Sequence, residues 1–259
     1  SQIDLTQLSI EQLMEVEVKL ASRKPQKING IAAAISVLTD EDLRRSGART
    51  IPDALRLVTG LQVAGVDANK WVVTARGFTG LFANKLLVQI DGRSVYTPLF
   101  SGVFWESQDV VLADVDRIEV IRGPGGTMWG ANNAVNGIVN VVTKSAAKTP
   151  GLLLDVGAGF EEEGFATLRY GRRMSEDVAA RVYVKYFRRG ASAAAGEHPV
   201  RDEWDAGRFG FRVDWVATRN NEFTFLSNAY RGTVGQGVSL IASTSAPFDQ
   251  PVYRDVGVS

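Results

Sequence analysis

The sequence lacks cysteine and has a single histidine, His198. Without cysteine the chain can form no disulfide framework and no thiolate metal site, and it has no thiol nucleophile. One histidine cannot build a histidine-rich metal centre, and His198 lies in a polar, proline-containing stretch that is typical of a solvated loop. We therefore predict no metal site and no cofactor.

An excess of charge of one sign and long apolar runs are also missing. The 29 Lys and Arg residues balance 29 Asp and Glu residues, so no overall positive field argues for nucleic-acid binding. No stretch of about 18 apolar residues occurs, and the sequence therefore predicts no transmembrane helix. Residues 1–20 lack the apolar core of a secretory signal peptide, so for an exported protein we expect a mature or trimmed chain.

Motifs for catalysis are absent too. The sequence has no G-x-S-x-G nucleophile motif, and no nucleophile motif lies near His198 to complete a Ser–His–acid set. The glycine-rich stretch after Arg122 has neither the GxxxxGK[ST] nor the GxGxxG spacing of a phosphate-binding loop. We predict that the protein has no catalytic residues and is not an enzyme.

Residues 116–144 are the most informative stretch that is present (DRIEVIRGPGGTMWGANNAVNGIVNVVTK). Two β-branched runs, 118–121 and 138–143, predict strands. The segment between them is rich in Gly and Asn, which tolerate backbone angles that other residues avoid. The pattern predicts a strand, a long irregular turn and a second strand, and a purely structural loop is one interpretation of it.

This stretch resembles the closing segment of the plug domain of TonB-dependent outer-membrane receptors. Upstream, residues 75–78 (ARGF) resemble the RGF element of that family, and residues 87–93 (LVQIDGR) resemble its strand-and-turn element. The three elements occur in the family's order. The resemblance implies a plug inside a membrane barrel and the import of a scarce solute, such as a ferric siderophore or a similar large nutrient.

Local patterns before residue 146 predict a small mixed α+β domain with short helices. Thr39 caps a helix that Gly47 ends, and Thr50, with Pro52 in the first turn, begins another that ends at Gly60. A capping box also predicts a short helix near residues 10–15. Strands are expected at 31–38, 61–66, 72–76 and 86–90. We assign residues 25–146 to the plug domain.

Residues 1–24 form an N-terminal segment that contains an alternating stretch, VEVKLA. In the resembled family, a segment placed in this way is the TonB box, which the periplasmic TonB-type energy transducer captures by strand addition. The resemblance implies that the transducer contacts Val16, Glu17, Val18, Lys19 and Leu20. The alternative is that this stretch is an ordinary first strand of the plug.

Residues 147–259 alternate apolar and polar side chains in runs of about ten residues. One face of these runs is aromatic and aliphatic, and the other carries Arg, Lys and Asp, as a polar barrel lumen requires. A soluble antiparallel sandwich would show the same alternation. The segment can supply about five to seven strands, whereas a plugged barrel has about 22. Because an open sheet cannot stand in lipid, we expect a fragment: a whole plug and the first strands of an antiparallel transmembrane β-barrel.

Charged residues in the plug motifs are the candidates for a latch between plug and barrel. A charge held in an apolar strand must find a partner. In the resembled family, arginines of the RGF and IRGP elements pair with glutamates of the barrel wall. Arg76 and Arg122 match those arginines, and Arg117 and Glu119 lie in the same motif. The alternative for Arg76 and Arg122 is an ion pair within the plug or a strand end that faces solvent.

Aromatic residues on outward loops of the plug are the candidates for ligand contact. The resemblance places these loops near residues 67–71, 78–84 and 96–105. Their candidate ligand-facing residues are Trp71, Phe82, Tyr96, Phe100 and Trp105. The alternative for Phe100 is packing against the barrel wall or the plug core.

The predicted partners are therefore a TonB-type transducer, an extracellular siderophore-like ligand and outer-membrane lipid, with no nucleic acid. The predicted location is the outer membrane, with the plug facing the periplasm and the barrel lumen. Two other functions stay open at this point. One is a receptor-like signal transducer, and the other is a soluble β-rich binding or hydrolytic protein.

Overall fold

The computed structural model describes residues 17–18, 26–27, 34–77, 79–123, 134–193, 201–243 and 252–258. Residue packing divides the chain into two units. The first comprises Ser1–Ala64 and Trp71–Thr143, and the second comprises Gly65–Lys70 and Lys144–Ser259. The predicted short helix at residues 10–15 lies outside the described residues. No helix within the described ranges has both the length and the apolar character needed to cross a membrane.

Both predicted helices are present in the first unit. Helix α1 (Asp40–Ser46) begins at Thr39 with a capping box, in which the Thr39 hydroxyl accepts from the Asp42 amide and the Asp42 carboxylate accepts from the Thr39 amide. It ends at Gly47, whose φ of 69° is left-handed.

Helix α2 (Ile51–Leu55) begins at Thr50, as predicted, but does not extend to Gly60. After Leu55 the backbone tightens into turns in which Leu57 and Val58 donate to the carbonyls of Ala54 and Leu55, three residues earlier. Such i→i−3 bonds replace the α-helical ladder at a helix end.

The core of the first unit is a five-stranded mixed sheet. Its order is β3 (Ala34–Thr39), β8 (Val115–Arg122), β9 (Gly137–Thr143), β6 (Leu86–Ile90) and β7 (Arg93–Ser94). Only the β6–β9 pair is parallel. The two β-branched runs of the sequence thus become adjacent central strands, and residues such as Val120 and Val139, which face each other, are fully buried.

Two smaller pairings complete the first unit. Strands β4 (Leu61–Gly65) and β5 (Trp71–Ala75) form a separate two-stranded sheet. Near the N-terminus, β1 (Glu17–Val18) pairs antiparallel with β2 (Gln26–Lys27). The tight turn predicted at Asp91–Gly92 joins β6 to β7, and both of its residues have positive φ, which is the geometry of a type I′ hairpin.

The second unit contains a five-stranded antiparallel meander in sequence order. Its strands are β10 (Gly151–Gly157), β11 (Glu162–Arg173), β12 (Val178–Arg189), β13 (Trp204–Thr218) and β14 (Asn221–Val234). A further pair, β15 (Gln236–Ser243) and β16 (Val252–Val258), forms its own two-stranded sheet. The predicted mixed plug-like sheet followed by antiparallel strands is confirmed.

The two faces of the meander differ as the alternation predicted. On one face, cross-strand neighbours such as Tyr170 and Val182 are large, apolar and exposed. The same face carries Leu152, Leu154, Leu168, Val184, Tyr186, Phe209, Phe211, Trp215, Phe223 and Phe225. The other face carries buried polar groups, among them Arg169, Arg181, Lys185, Arg208 and Asp214. In the described residues, β10 and β14 are the two edges of this sheet, which therefore stays open.

Strand β13 contains glycines in its middle, and one of them makes room for a ring of the neighbouring strand. Gly210 lies opposite Tyr183 on β12. A Cβ at this position would lie 2.5 Å from the Tyr183 ring and from the Asn228 amide oxygen. The tyrosine hydroxyl bonds that same amide at 2.9 Å. Gly210 therefore continues the strand by admitting an aromatic ring over its backbone.

Candidate functional site

The four predicted latch residues all lie in the first unit, and two of them bind each other. On β8, Arg117 Nε donates to Glu119 Oε1 at 2.7 Å, and Arg117 Nη1 pairs with Asp116 at 2.8 Å. Asn140 Nδ2 on β9 donates to the other oxygen of Glu119 at 2.9 Å. Glu119 is only 1% exposed. Both of its carboxylate oxygens therefore have partners inside the plug sheet, and a latch role for this pair stays a prediction.

Arg122 also has partners within the first unit. Its Nη1 donates to the carbonyl oxygen of Thr59, and its Nη2 donates to Ser36 Oγ at 3.3 Å. Gly60 has a φ of 85° and leaves room for the guanidinium, since a Cβ there would collide with Nη1. Arg122 thus ties the end of β8 to β3 and to the turn before β4.

Arg76 brings the RGF element beside the end of β8. Its own φ is 57°, a left-handed backbone angle that is rare for residues other than glycine. A Cβ on Gly123 would lie 3.2 Å from Arg76 Nη2, so the guanidinium borders the backbone of Gly123. The carbonyl of Ala75 accepts from Asn136 Nδ2 at 3.0 Å. Two motifs that are distant in sequence therefore lie side by side.

The loops at 79–84 and 96–104 meet through a chain of aromatic rings. The rings of Phe82 and Phe100 lie edge-to-face with centroids 5.1 Å apart, and those of Phe100 and Phe104 lie in the same way at 5.1 Å. Asn84 Nδ2 donates to the Phe100 carbonyl at 3.2 Å. We call Phe82, Phe100 and Phe104 the aromatic cluster. Edge-to-face contacts of this kind add stability beyond simple burial.

The aromatic cluster opens to solvent at one end. Phe82 is 63% exposed and Tyr96 is 50% exposed. Leu99, in the same loop as Tyr96, is also strongly exposed. Neither loop contains Lys, Arg, Asp or Glu. The surface is therefore uncharged and suits contact with an apolar or aromatic molecule.

Two of the predicted ligand-facing residues, Trp71 and Trp105, are buried and not exposed at the surface. Trp71 is 7% exposed and Trp105 is 6% exposed. Trp71 begins a strand in which every residue is buried, and Trp105 opens a 3₁₀ turn (Trp105–Ser107) with its side chain inward. Their indole rings are too large and apolar to leave in water when a core position is available. Neither ring can stack on a ligand in this structure.

The predicted TonB contact lies only partly within the described residues. Glu17 and Val18 form β1, opposite Lys27 and Gln26 respectively. Val16, Lys19 and Leu20 lie outside the described residues. An extended segment is present where strand addition would need one, and contact with a transducer stays a prediction.

Residues 144–150, which we call the linker because they join β9 to β10, are held by the polar face of the meander. Ala146 is fully buried in a 3₁₀ turn (Ala146–Lys148), and its amide donates to Asp214 Oδ2 at 2.6 Å. Arg181 Nη1 donates to the Lys144 carbonyl at 2.9 Å, and Arg169 Nη1 donates to the Thr149 carbonyl at 2.7 Å. Charged side chains of three strands, β11, β12 and β13, therefore bind the backbone of the linker.

Sequence analysis missed the buried carboxylate of Asp202, in the loop before β13. Asp202 is 1% exposed. Its oxygens accept from the Ser192 amide and hydroxyl at 2.8 and 2.5 Å and from the Ala68 amide at 2.8 Å. Burial raises the pKa of this carboxyl, but the hydrogen bonds from Ser192 and Ala68 together lower the pKa by more, so it lies below its ordinary value. An acidic residue in a polar loop gives no signal of such burial.

The side chain of Asp91 also has a role that the sequence did not indicate. Its φ is 50°, and its carboxylate accepts from both the amide and the hydroxyl of Thr143 at 2.8 Å. The turn motif predicted the backbone at Asp91 but not this bond to the last residue of β9.

The fold and the positions of these residues define the class of protein. It is a plug domain followed by antiparallel strands with one apolar and one polar face. Residues 27–138 match the family model described as the TonB-dependent Receptor Plug Domain. These residues carry the plug domain of TonB-dependent receptors, a family whose members are outer-membrane receptors.

Comparison with curated proteins gives similar transporters. The vitamin B12 transporter BtuB of Vibrio cholerae is 26% identical over 205 residues, which are 78% of this chain and 32% of the relative. The iron-regulated outer membrane virulence protein of Vibrio cholerae is 33% identical over 135 residues, which are 50% of this chain and 20% of the relative. The chain spans about a third or less of the length of these relatives, which are transporters and receptors.

Solved structures share the fold. The ferripyoverdine receptor of the outer membrane of Pseudomonas aeruginosa, bound to ferripyoverdine, has a TM-score of 0.63 and 18% identity, over 93% of this chain and 30% of that chain. The ferric yersiniabactin uptake receptor FyuA from Yersinia pestis has a TM-score of 0.60 and 16% identity, over 79% of this chain and 32% of that chain.

Proposed function

We propose that this chain is part of an outer-membrane receptor that imports a scarce solute, a ferric siderophore or a similar large nutrient, without chemical conversion. The proposal rests on residues 27–138, which match the plug-domain family model. The same domain carries the aromatic cluster, which is exposed to solvent at Phe82. The curated relatives include transporters for vitamin B12, and two similar structures are receptors for iron chelates.

The aromatic cluster is proposed as the plug's share of the ligand site. Phe82 and Tyr96 offer exposed ring surface, and the two loops that carry them have no charged side chain. Rings bind flat apolar surfaces by stacking and by releasing water. The plug surface would therefore recognise the organic part of the ligand, while charged groups of the ligand would be met elsewhere in the full receptor.

The meander is proposed as part of the membrane wall. Its exposed face carries aromatic and aliphatic side chains along five strands, and a wall in lipid needs such a face. Its polar face would line the lumen. The plug arginines Arg76 and Arg122 are proposed to contribute to latching the plug, and residues 16–20 are proposed as the contact for a TonB-type transducer.

Uptake by the full gene product in a host that lacks its own receptors tests the proposal. Labelled ferric siderophores and labelled vitamin B12 are supplied separately, with and without a functional TonB. We expect uptake of one class, dependent on TonB. Uptake of neither class, or equal uptake without TonB, would refute the proposed transport function.

Variants of the aromatic cluster locate the ligand site. We expect Phe82→Ala to weaken ligand binding by about tenfold, in line with the loss of one stacking ring. Phe160→Ala is the matched control, because Phe160 is also exposed but lies in the turn between β10 and β11. Equal binding by both variants would exclude the cluster from the site.

A further inference from the structure

Residues 65–70, which we call the anchored loop, connect two strands of the first unit but pack as part of the second. They begin at Gly65, the last residue of β4, and end at Lys70, just before β5. The loop is closed on itself, because the Val66 amide donates to the Lys70 carbonyl at 2.8 Å. Asp67 accepts from the amides of Asn69 and Lys70 at 3.0 and 2.7 Å, and its carboxylate pairs with Lys70 Nζ at 2.7 Å.

The anchored loop is bound to one buried group of the second unit. The amide of Ala68 donates to Asp202 Oδ2 at 2.8 Å. Asn69, which is fully buried, donates from its Nδ2 to the carbonyls of Asp202 and Gly235, both at 2.9 Å. Ser192 occupies the remaining positions of the Asp202 carboxylate. Asp202 therefore joins the anchored loop, the start of the β12–β13 loop and the chain before β13.

The hydrogen bonds between the anchored loop and Asp202 depend on the identity of the residues that make them. Gly235 cannot be enlarged, because a Cβ there would lie 2.7 Å from the Arg201 carbonyl oxygen. An asparagine can donate two hydrogens from one amide nitrogen, and Asn69 uses both for carbonyl oxygens. Carboxylate acceptors make stronger hydrogen bonds than neutral groups, so Asp202 is the central acceptor of the site.

We propose that Asp202 is a positioning residue that keeps the anchored loop in place. The inference rests on hydrogen bonds within the second unit and is independent of which solute the receptor carries.

Hydrogen–deuterium exchange of the full gene product in membrane vesicles tests the anchor directly. We expect Asp202→Ala to speed exchange at least tenfold in peptides that contain Ala68 and Ser192, and to leave peptides of β8 and β9 unchanged. Asp202→Asn keeps one carbonyl acceptor and should restore part of the protection. Glu203→Ala is the matched control, because its side chain is exposed one residue away.

The same exchange measurement on Asn69→Ala gives the second test. We expect faster exchange in the peptide that contains Ala68, because Asn69 donates to the carbonyls of Asp202 and Gly235. Unchanged exchange in Asp202→Ala would overturn the anchor, whatever the receptor transports. A failure of solute uptake in the wild type would bear on the proposed function alone.

Discussion

Arg117 and Glu119 face each other on the same side of strand β8, with Nε and Oε1 2.7 Å apart. Residues two apart on a strand share a face, and here the shared face is buried at Glu119 and partly exposed at Arg117. Asn140 on the neighbouring strand completes the site. The central sheet of the plug thus contains an ion pair where its sequence motif suggested a latch.

We predict that Glu119→Ala destabilises the folded protein by about 3 kcal/mol, since removing one partner of a buried pair leaves the other uncompensated. Because Arg117 is partly exposed, we expect the loss of stability to be no larger than this. Guanidinium unfolding followed by tryptophan fluorescence measures the loss. Glu41→Ala is the control, because the Glu41–Arg45 pair is exposed and should change stability by less than about 1 kcal/mol. Equal losses in the two variants would contradict a buried role for Glu119.

Gly102 is predicted to be required for the shape of the aromatic cluster. A methyl group there would lie 2.5 Å from the Ala83 carbonyl oxygen and would overlap the Phe100 ring. We expect Gly102→Ala to displace Phe100 and to weaken ligand binding several-fold. Gly80→Ala should bind normally, because a Cβ at Gly80 would have no neighbour within 4 Å. If Gly102→Ala and Gly80→Ala weaken ligand binding equally, the loss comes from reduced backbone flexibility of the loops and not from displacement of Phe100.

Asp214 is predicted to protect the linker from proteolysis. Its carboxylate accepts from Ala146, Arg212 and Thr224. Asp214→Ala should therefore increase trypsin cleavage after Lys148. Quantitative mass spectrometry of the fragments measures this rate. The exposed residue Glu222 on the neighbouring strand supplies the control, and Glu222→Ala should leave cleavage slow. Unchanged cleavage in Asp214→Ala would mean that other contacts hold the linker.

Acid should weaken the Asp202 site. The pKa of its carboxyl is lowered in the folded state, whereas the unfolded chain has the ordinary value of about 3.9. The carboxylate therefore stabilises the folded state fully above that value, and this contribution is lost as the pH falls through the folded-state pKa. We expect the carboxyl ¹³C shift of Asp202, assigned with Asp202→Asn, to titrate with a midpoint below that of a free aspartate. A midpoint above that of a free aspartate would contradict the hydrogen-bonded site.

Transducer contact by strand addition predicts a strong effect of proline at β1. Proline cannot donate to a strand ladder, so Val18→Pro should abolish TonB-dependent uptake. Ligand binding to the unenergised receptor should be unchanged, because the ligand site is proposed on other loops. Val18→Ile, which keeps the amide, is the control. Normal uptake by Val18→Pro would place the transducer contact outside residues 16–20.

Signals within a few residues of each other predicted much of the fold correctly. The capping box at Thr39, the β-branched runs of β8 and β9, the Asp91–Gly92 turn and the alternation of the meander are all present. Each depends on backbone preferences or on side-chain period, which are local properties of the chain.

The side-chain partners of the site could not be predicted in the same way. Trp71, an aromatic residue beside a loop, was expected to face a ligand but is buried, and burial depends on what the fold packs against it. Asp202 and Asn69 are 133 residues apart in the chain. No local pattern marks either of them as half of a pair.

By itself the sequence determined the likeness of its first half to a plug domain, the main strands and helices along the chain, and the division of the meander into an apolar and a polar face. Only the tertiary structure decided which charged groups are paired, which aromatic rings are exposed and where the linker and the anchored loop are bound. The physical reason is that secondary structure follows from short-range backbone and side-chain preferences. Burial and hydrogen-bond partners follow from long-range packing, which brings distant residues within 3 Å of each other.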